Sequence, residues 1–241
     1  MILLDPTARP IIAHRGASGE APENTIFAFE RGLALGADAL EFDVRLSSDG
    51  VPVAIHDATL DRTTNVTGAV GQRTVRELAQ VDAGAGQGIP TVDQVLESFP
   101  DTPVIIEVKE IRAAQPLADL VVRHGAEGRV LIGSFLHEAL ACFGESRINR
   151  CASRRDTTKF WLGSRLRVPL GATRFEALSV PVRHRGIHVA DRAFVRTAVR
   201  RGLPVHVWTI DDLSEAKRLR ALGIAGIITN WPDRMTALSR S

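Results

Sequence analysis

The chain has 241 residues, 44% hydrophobic and 24% charged, with a formal net charge of +2. That balance is ordinary for a globular protein, and the length allows a sizeable core in a single domain spanning 1–241. No apolar run approaches the ~18–20 residues of a membrane span, and the N-terminus, acidic at Asp5 with no basic region before a long apolar stretch, is a poor signal peptide.

The small net charge conceals an asymmetry. Residues 1–149 hold 12 Arg/Lys against 21 Asp/Glu, a net of −9, whereas residues 150–202 hold 13 against 3, a net of +10. Such a basic sector can steer anionic substrates or make weak contact with an anionic membrane surface, and can equally be a solubilising face. Nucleic acid is not an expected partner. Cys142 and Cys151 fall in segments that read as helix and strand, so both are expected to be buried free thiols, in keeping with a reducing, cytoplasmic setting.

Short apolar runs alternate with helical patterns along the whole chain. Strands are expected near 10–14, 39–46, 103–109, 129–135, 149–154, 177–181, 204–210 and 226–230. Helices are expected near 24–36, 91–99, 115–124, 137–145, 156–165, 191–202, 212–222 and 232–239. Asn24 reads as a cap for the first helix, Asp211 or Asp212 as a cap for the seventh, and Gly36, Gly125, Gly202 and Gly223 as helix stops. Strand–helix alternation repeated about eight times with short linkers argues for an α/β fold of the single-domain (β/α)8 TIM-barrel type. An open doubly wound sheet is the alternative, although no G-x-G-x-x-G follows a strand. The turn at 47–50 leads into VPVAIHD as a hairpin extension, and 57–90 is then a long connection, a kind usually kept for function.

The polar residues of the strands gather at their carboxyl ends, where barrel enzymes place their chemistry. In ALEFDVRL, Glu41 and Asp43 are two apart and so share one strand face, roughly 7 Å from each other along the chain. Two carboxylates there are costly to bury unless a cation or partner offsets them. Glu107 and Lys109 repeat the spacing in VIIEVK; His14 and Arg15 end the first strand, and His56 follows the hairpin. Trp208 ends the seventh strand, with His206 on the same face, and Asn230 ends the eighth. Each has a plain structural alternative: a core histidine, a Glu107–Lys109 ion pair, a packed tryptophan. Their common location argues for a site. Phe160, Trp161 and Leu162 form an apolar triplet inside the basic sector, either as outer-helix packing or as a lid suited to acyl chains.

The motifs HRGASGEAPENTIFAF, LEFDVRLSSDGVPVAIHDATLDRTTN, GIPTVDQVL, IEVK, VHVWTIDD and GIITNWPD resemble, in order and from about residue 10 to 235, those of the glycerophosphodiester phosphodiesterase family. The resemblance implies a TIM barrel that hydrolyses glycerophosphodiesters to sn-glycerol 3-phosphate and an alcohol with a divalent cation. It implies Glu41, Asp43 and Glu107 as metal ligands, His14 and His56 as the acid–base pair, and Arg15 and Lys109 as phosphate contacts. Trp208 is a candidate wall for the glycerol pocket. Three carboxylates suit Mg2+ or Ca2+, and no Cys/His set favours zinc. Two departures from the family pattern stand out: the connection after His56 is short compared with family members that insert a separate small subdomain, and Asn230 stands where many relatives carry Asp. Lysophospholipase D activity on the same scaffold, or a non-catalytic barrel binding anionic lipid, are the rival readings.

Overall fold

The computed structural model describes residues 1–144, 146–166 and 171–238. Eight parallel strands form its centre: β1 (Ile11–His14), β2 (Ala39–Leu46), β3 (Val104–Val108), β4 (Val130–Gly133), β5 (Asn149–Arg150), β6 (Leu178–Pro181), β7 (Val205–Trp208) and β8 (Gly226–Thr229). They are hydrogen-bonded in the order β5-β4-β3-β2-β1-β8-β7-β6. A parallel bridge between Cys151 and Ala177 then joins the end of β5 to the segment entering β6. The Ala152 amide donates to the Ala177 carbonyl at 2.9 Å across this seam. The sheet therefore closes on itself as a (β/α)8 barrel, and the open-sheet alternative is set aside.

The helices lie outside, because each strand alternates between the barrel interior and a helix-covered exterior. They are α1 (Ile26–Ala34), α2 (Val92–Ser98), α3 (Ala114–Arg123), α4 (Arg154–Leu166), α5 (Arg192–Arg200) and α6 (Leu213–Leu222), with short helices at His137–Ala141 and Pro232–Met235. Phe29 of α1 packs against Phe42 of β2 at a ring separation of 5.5 Å and edge-on to Phe99 at 6.1 Å. With all of this ring buried, Phe29→Ala is expected to cost about 3–5 kcal/mol. Among the described residues of the expected helix 137–145, only His137–Ala141 is α-helical; residue 145 lies outside them, as does residue 239 of the expected helix 232–239.

The caps differ from expectation in an informative way. Thr25, not Asn24, caps α1, its hydroxyl accepting from Ala28 N at 3.1 Å. Asp212 caps α6 through Glu215 N, leaving Asp211 for another task. Cys142 is exposed rather than buried, since it falls where the short helix ends, while Cys151 is buried.

Inside the barrel, the floor is apolar: Leu3 from the N-terminal segment packs with Ile12, Ile105, Leu131 and Ile228. His206 belongs to this floor and not to the cavity above it. It is wholly buried, and its Nε2 donates to the Leu3 carbonyl at 2.9 Å. Gly226 is what admits it, because a Cβ there would fall 2.0 Å from His206 Nδ1. No helix among the described residues is long and apolar enough to cross a membrane.

Candidate active site

Strand register assembles the site. His14 is paired with Glu41 across β1–β2, and Asp43 with Glu107 across β2–β3. Paired residues on parallel neighbours share a face, so alternation along β2 and pairing across to β3 place all three carboxylates inside the barrel mouth. Carboxylate oxygens of Glu41, Asp43 and Glu107 lie within 4.8 Å of one another. The next register partner of Glu107 is Gly133, which leaves this side of the cavity open.

Three carboxylates so close strain one another's ionisation. Burial, with the charges of Asp43 and Glu107, pushes Glu41 well above the ordinary carboxylate range. Glu107 is also raised, by burial and by Asp43, with Lys109 only partly opposing. Burial would raise Asp43 as well, but Lys109 and Arg15 overcome it and hold Asp43 below its usual value. Lys109 Nζ lies 2.7 Å from Glu107 Oε1 and 2.9 Å from Asp43 Oδ1. Arg15 reaches Asp43 Oδ2 through Nε at 3.1 Å and Glu23 through Nη1 at 2.8 Å.

Asp43 Oδ1 is buried with an ion-pair contact but no aligned hydrogen bond. An all-oxygen donor set with an under-satisfied buried carboxylate oxygen fits a hard divalent cation, and the three residues form an acidic group able to hold one.

The two histidines are each oriented through Nδ1. His14 Nδ1 donates to Asn230 Oδ1 at 2.7 Å, and Asn230 Nδ2 donates to Asp211 Oδ2 at 2.7 Å. His56 Nδ1 donates to Asp57 Oδ1 at 2.6 Å. In both, Nε2 is the nitrogen left for chemistry, and both side chains line the cavity. Burial and the neighbouring Arg15 hold His14 below the usual histidine pKa. Hydrogen bonds from Arg62 and His56 pull Asp57 down to about 2, so it is ionised at neutral pH.

Several participants went unread in the sequence or were given a lesser role. Asn24, at φ 59° in the left-handed region, brackets Asp43, donating to Oδ2 at 3.1 Å and accepting from its amide at 3.2 Å. Arg15 also sits at φ 57°, its amide donating to the Glu41 carbonyl at 2.7 Å. Strain of this kind collects at functional sites. Arg62 of the long connection donates to both Glu23 and Asp57, so the 57–90 segment feeds the site after all. The capping appearance of Asn24 masked its use; only its place in PENT, before a strand carrying E-x-D, hinted otherwise.

The cavity above the carboxylates has a volume of about 460 Å³. Trp208 lines it, with Phe135 edge-on at 5.8 Å. The apolar triplet of α4 divides: Phe160 is buried against Phe175 and Phe194, whereas Trp161 and Leu162 line the outer cavity. Part of the basic stretch that follows, 167–170, lies outside the described residues. His184 is also on the cavity wall.

A family model for the glycerophosphoryl diester phosphodiesterase family matches residues 14–234. The glycerophosphodiester phosphodiesterase of Caldanaerobacter subterraneus is 33% identical over 256 residues, covering 95% of this chain and 97% of that protein. The crystal structure of glycerophosphodiester phosphodiesterase from Agrobacterium tumefaciens is similar with a TM-score of 0.79 at 30% identity, covering 95% of this chain and 99% of that one. An Oleispira antarctica phosphodiesterase, solved in complex with the product sn-glycerol-3-phosphate, gives a TM-score of 0.82 at 26% identity over 97% and 98% of the two chains. With the match spanning both histidines and every carboxylate of the cavity, the chain belongs to the glycerophosphoryl diester phosphodiesterase family and is a phosphoric diester hydrolase.

Proposed function

We propose that this cavity hydrolyses glycerophosphodiesters to sn-glycerol 3-phosphate and an alcohol, with Glu41, Asp43 and Glu107 holding Mg2+ or Ca2+. The observation that carries the reading is the convergence of three carboxylates and two Nδ1-anchored histidines on one cavity. When bound, the cation supplies Lewis-acid neutralisation of charge on the phosphate. Arg15 and Lys109 line the same cavity and direct N–H donors at non-bridging oxygens, where charge builds as the phosphorus is attacked. His14 and His56 present Nε2, one to take the proton of the attacking hydroxyl and the other to protonate the departing alkoxide. The attacking hydroxyl is either that of water or the glycerol 2-hydroxyl, the latter by way of a cyclic phosphate that water then opens. Asn230 and Asp57 hold the two rings in the required tautomer. Trp208 and Phe135 supply an apolar wall beside the reacting phosphate. The free thiols Cys142 and Cys151 suit a reducing, cytoplasmic compartment.

The test is release of glycerol 3-phosphate from glycerophosphocholine with Mg2+ or Ca2+. Activity should vanish on chelation and in His14→Ala and Glu41→Ala; full turnover in metal-free buffer overturns the cation assignment.

A second reading, lysophospholipase D activity, is favoured by one feature: beyond the carboxylates the cavity wall turns apolar at Trp161, Leu162, Ile187 and Val189. Comparison of kcat/KM for glycerophosphocholine and lysophosphatidylcholine decides it, and no preference for the acylated substrate sinks it.

A further inference from the structure

The rim of the cavity has a character that hydrolysis of a small soluble diester does not require. Nine large apolar side chains are exposed among the described residues, and three of them stand here, Phe135 at 52%, Leu162 at 47% and Ile187 at 53% exposure, with Leu136 at 36% next to Phe135 in the chain. Phe135, Leu162 and Ile187 line the cavity itself. Ile187 stands on a two-stranded ribbon, Arg183–His184 paired with Ile187–His188, which turns through Arg185 and Gly186. The ribbon is fastened to α4, since Trp161 Nε1 donates to the His188 carbonyl at 3.0 Å and Arg165 stacks over the Trp161 ring. These apolar groups therefore stand on a braced rim.

Basic residues are interleaved with them. Arg154 lines the cavity, and Arg183, His184, Arg185 and His188 are all exposed on or beside the ribbon. The acids nearby are already engaged: Asp191 with Arg165, and Glu215 with Arg218. The whole segment 150–202 carries a net +10, from 13 basic and 3 acidic residues.

Three kinds of partner would cover exposed apolar groups. A second copy of the chain would bring one positive rim against another, which like-charge repulsion opposes. A protein seated permanently on the rim would close the mouth through which substrate enters. An anionic lipid surface satisfies both constraints: apolar side chains enter the headgroup–acyl boundary while the arginines remain at headgroup level. We infer that the rim formed by Phe135, Leu136, Leu162 and the Arg183–His188 ribbon docks the enzyme, mouth first, onto anionic lipid surfaces. This deepens the second reading of the same site, since a cavity opening against a lipid surface receives single-chain lipids directly, but docking itself needs no turnover.

The experiment is co-sedimentation of the full chain with phosphatidylcholine vesicles, with and without phosphatidylglycerol, at low and high salt. Binding should need phosphatidylglycerol and weaken at high salt. Arg183→Gln with Arg185→Asn should weaken it about fivefold per arginine, and Leu136→Ser about tenfold. These three positions lie outside the reacting cavity, so hydrolysis of glycerophosphocholine in vesicle-free buffer reports that each variant is folded. Failure to bind anionic vesicles while that hydrolysis is intact overturns the docking inference and leaves the catalytic reading standing. Equal binding to neutral vesicles overturns it too, as does a concentration-dependent dimer abolished by Leu136→Ser.

Discussion

His14 ends β1 and Asn230 directly follows its neighbour β8, and His14 Nδ1 donates to Asn230 Oδ1 at 2.7 Å. Asn230 can accept there only because its own amide is held by Asp211 Oδ2 at 2.7 Å. The carboxylate thus stands one residue further from the histidine than it would with Asp at position 230. Asn230→Asp places two carboxylates in contact, and should lower stability by about 1–3 kcal/mol and reduce kcat. The exchange Asn230→Asp with Asp211→Asn restores one amide and one carboxylate, and should recover most of both losses. Thermal melts and kcat for the two single variants and the pair test this; additive losses refute the relay.

Glu41 should be a site where stability and activity move in opposite directions. Burial beside two other carboxylates raises its pKa well above the ordinary range, so in metal-free protein the group is destabilising at neutral pH, where the unfolded chain ionises it freely. Glu41→Gln keeps the shape and removes the charge, and is expected to raise the metal-free melting temperature while abolishing turnover. It should also remove the stabilisation by Mg2+ or Ca2+, which is about 2.7 kcal/mol for an intact site at a hundredfold excess over Kd. Melting curves with chelator and with each cation are the measurement, and a lower metal-free melting temperature for Glu41→Gln counts against the argument.

Asp57 orients His56 and stays ionised, its pKa drawn down to about 2 by Arg62 and His56. Asp57→Asn retains the size but removes the charge that fixes the Nδ1–H tautomer. Because His56 itself remains, the loss should be part of the ~10²–10⁴-fold general acid–base contribution, a fall in kcat of about 10–100-fold with KM little changed. A change confined to KM would mean that Asp57 acts on substrate binding instead.

The fold was legible because it is periodic: apolar strands and amphipathic helices alternate, and Gly223, at φ 101° after α6, stops its helix as the pattern implied. The carboxylates were legible because E-x-D and E-x-K violate an otherwise apolar strand face. Groups that act through non-local geometry were harder to read. Asn24 and Asp211 each sit next to a cap and look like one, yet their side chains turn to Asp43 and Asn230. Arg62 lies 39 positions from Glu23, and nothing in the intervening sequence indicates that they pair. His206 shares a strand face with Trp208, but the face is deep: two residues lower, the cavity has ended and the floor has begun. Periodicity gives the face and not the depth.

That depth makes His206 a source of acid sensitivity. Burial, only partly offset by its hydrogen bond to Leu3, lowers its pKa from the ordinary 6.5 to about 4. Between those values the unfolded chain binds a proton that the folded chain does not, so stability rises with pH across this window. The contribution is fully present above pH ~6.5 and lost as pH falls toward 4; a shift of this size corresponds to about 3 kcal/mol. His206→Gln cannot titrate and retains an amide donor able to reach the Leu3 carbonyl. It should be less stable than the parent at pH 7, where the imidazole packs against Gly226, but its stability should fall less steeply from pH 6.5 to 4. Urea unfolding of both proteins across that range measures the two slopes. Parallel curves would show that the acid sensitivity comes from the carboxylates and that the floor histidine serves packing alone.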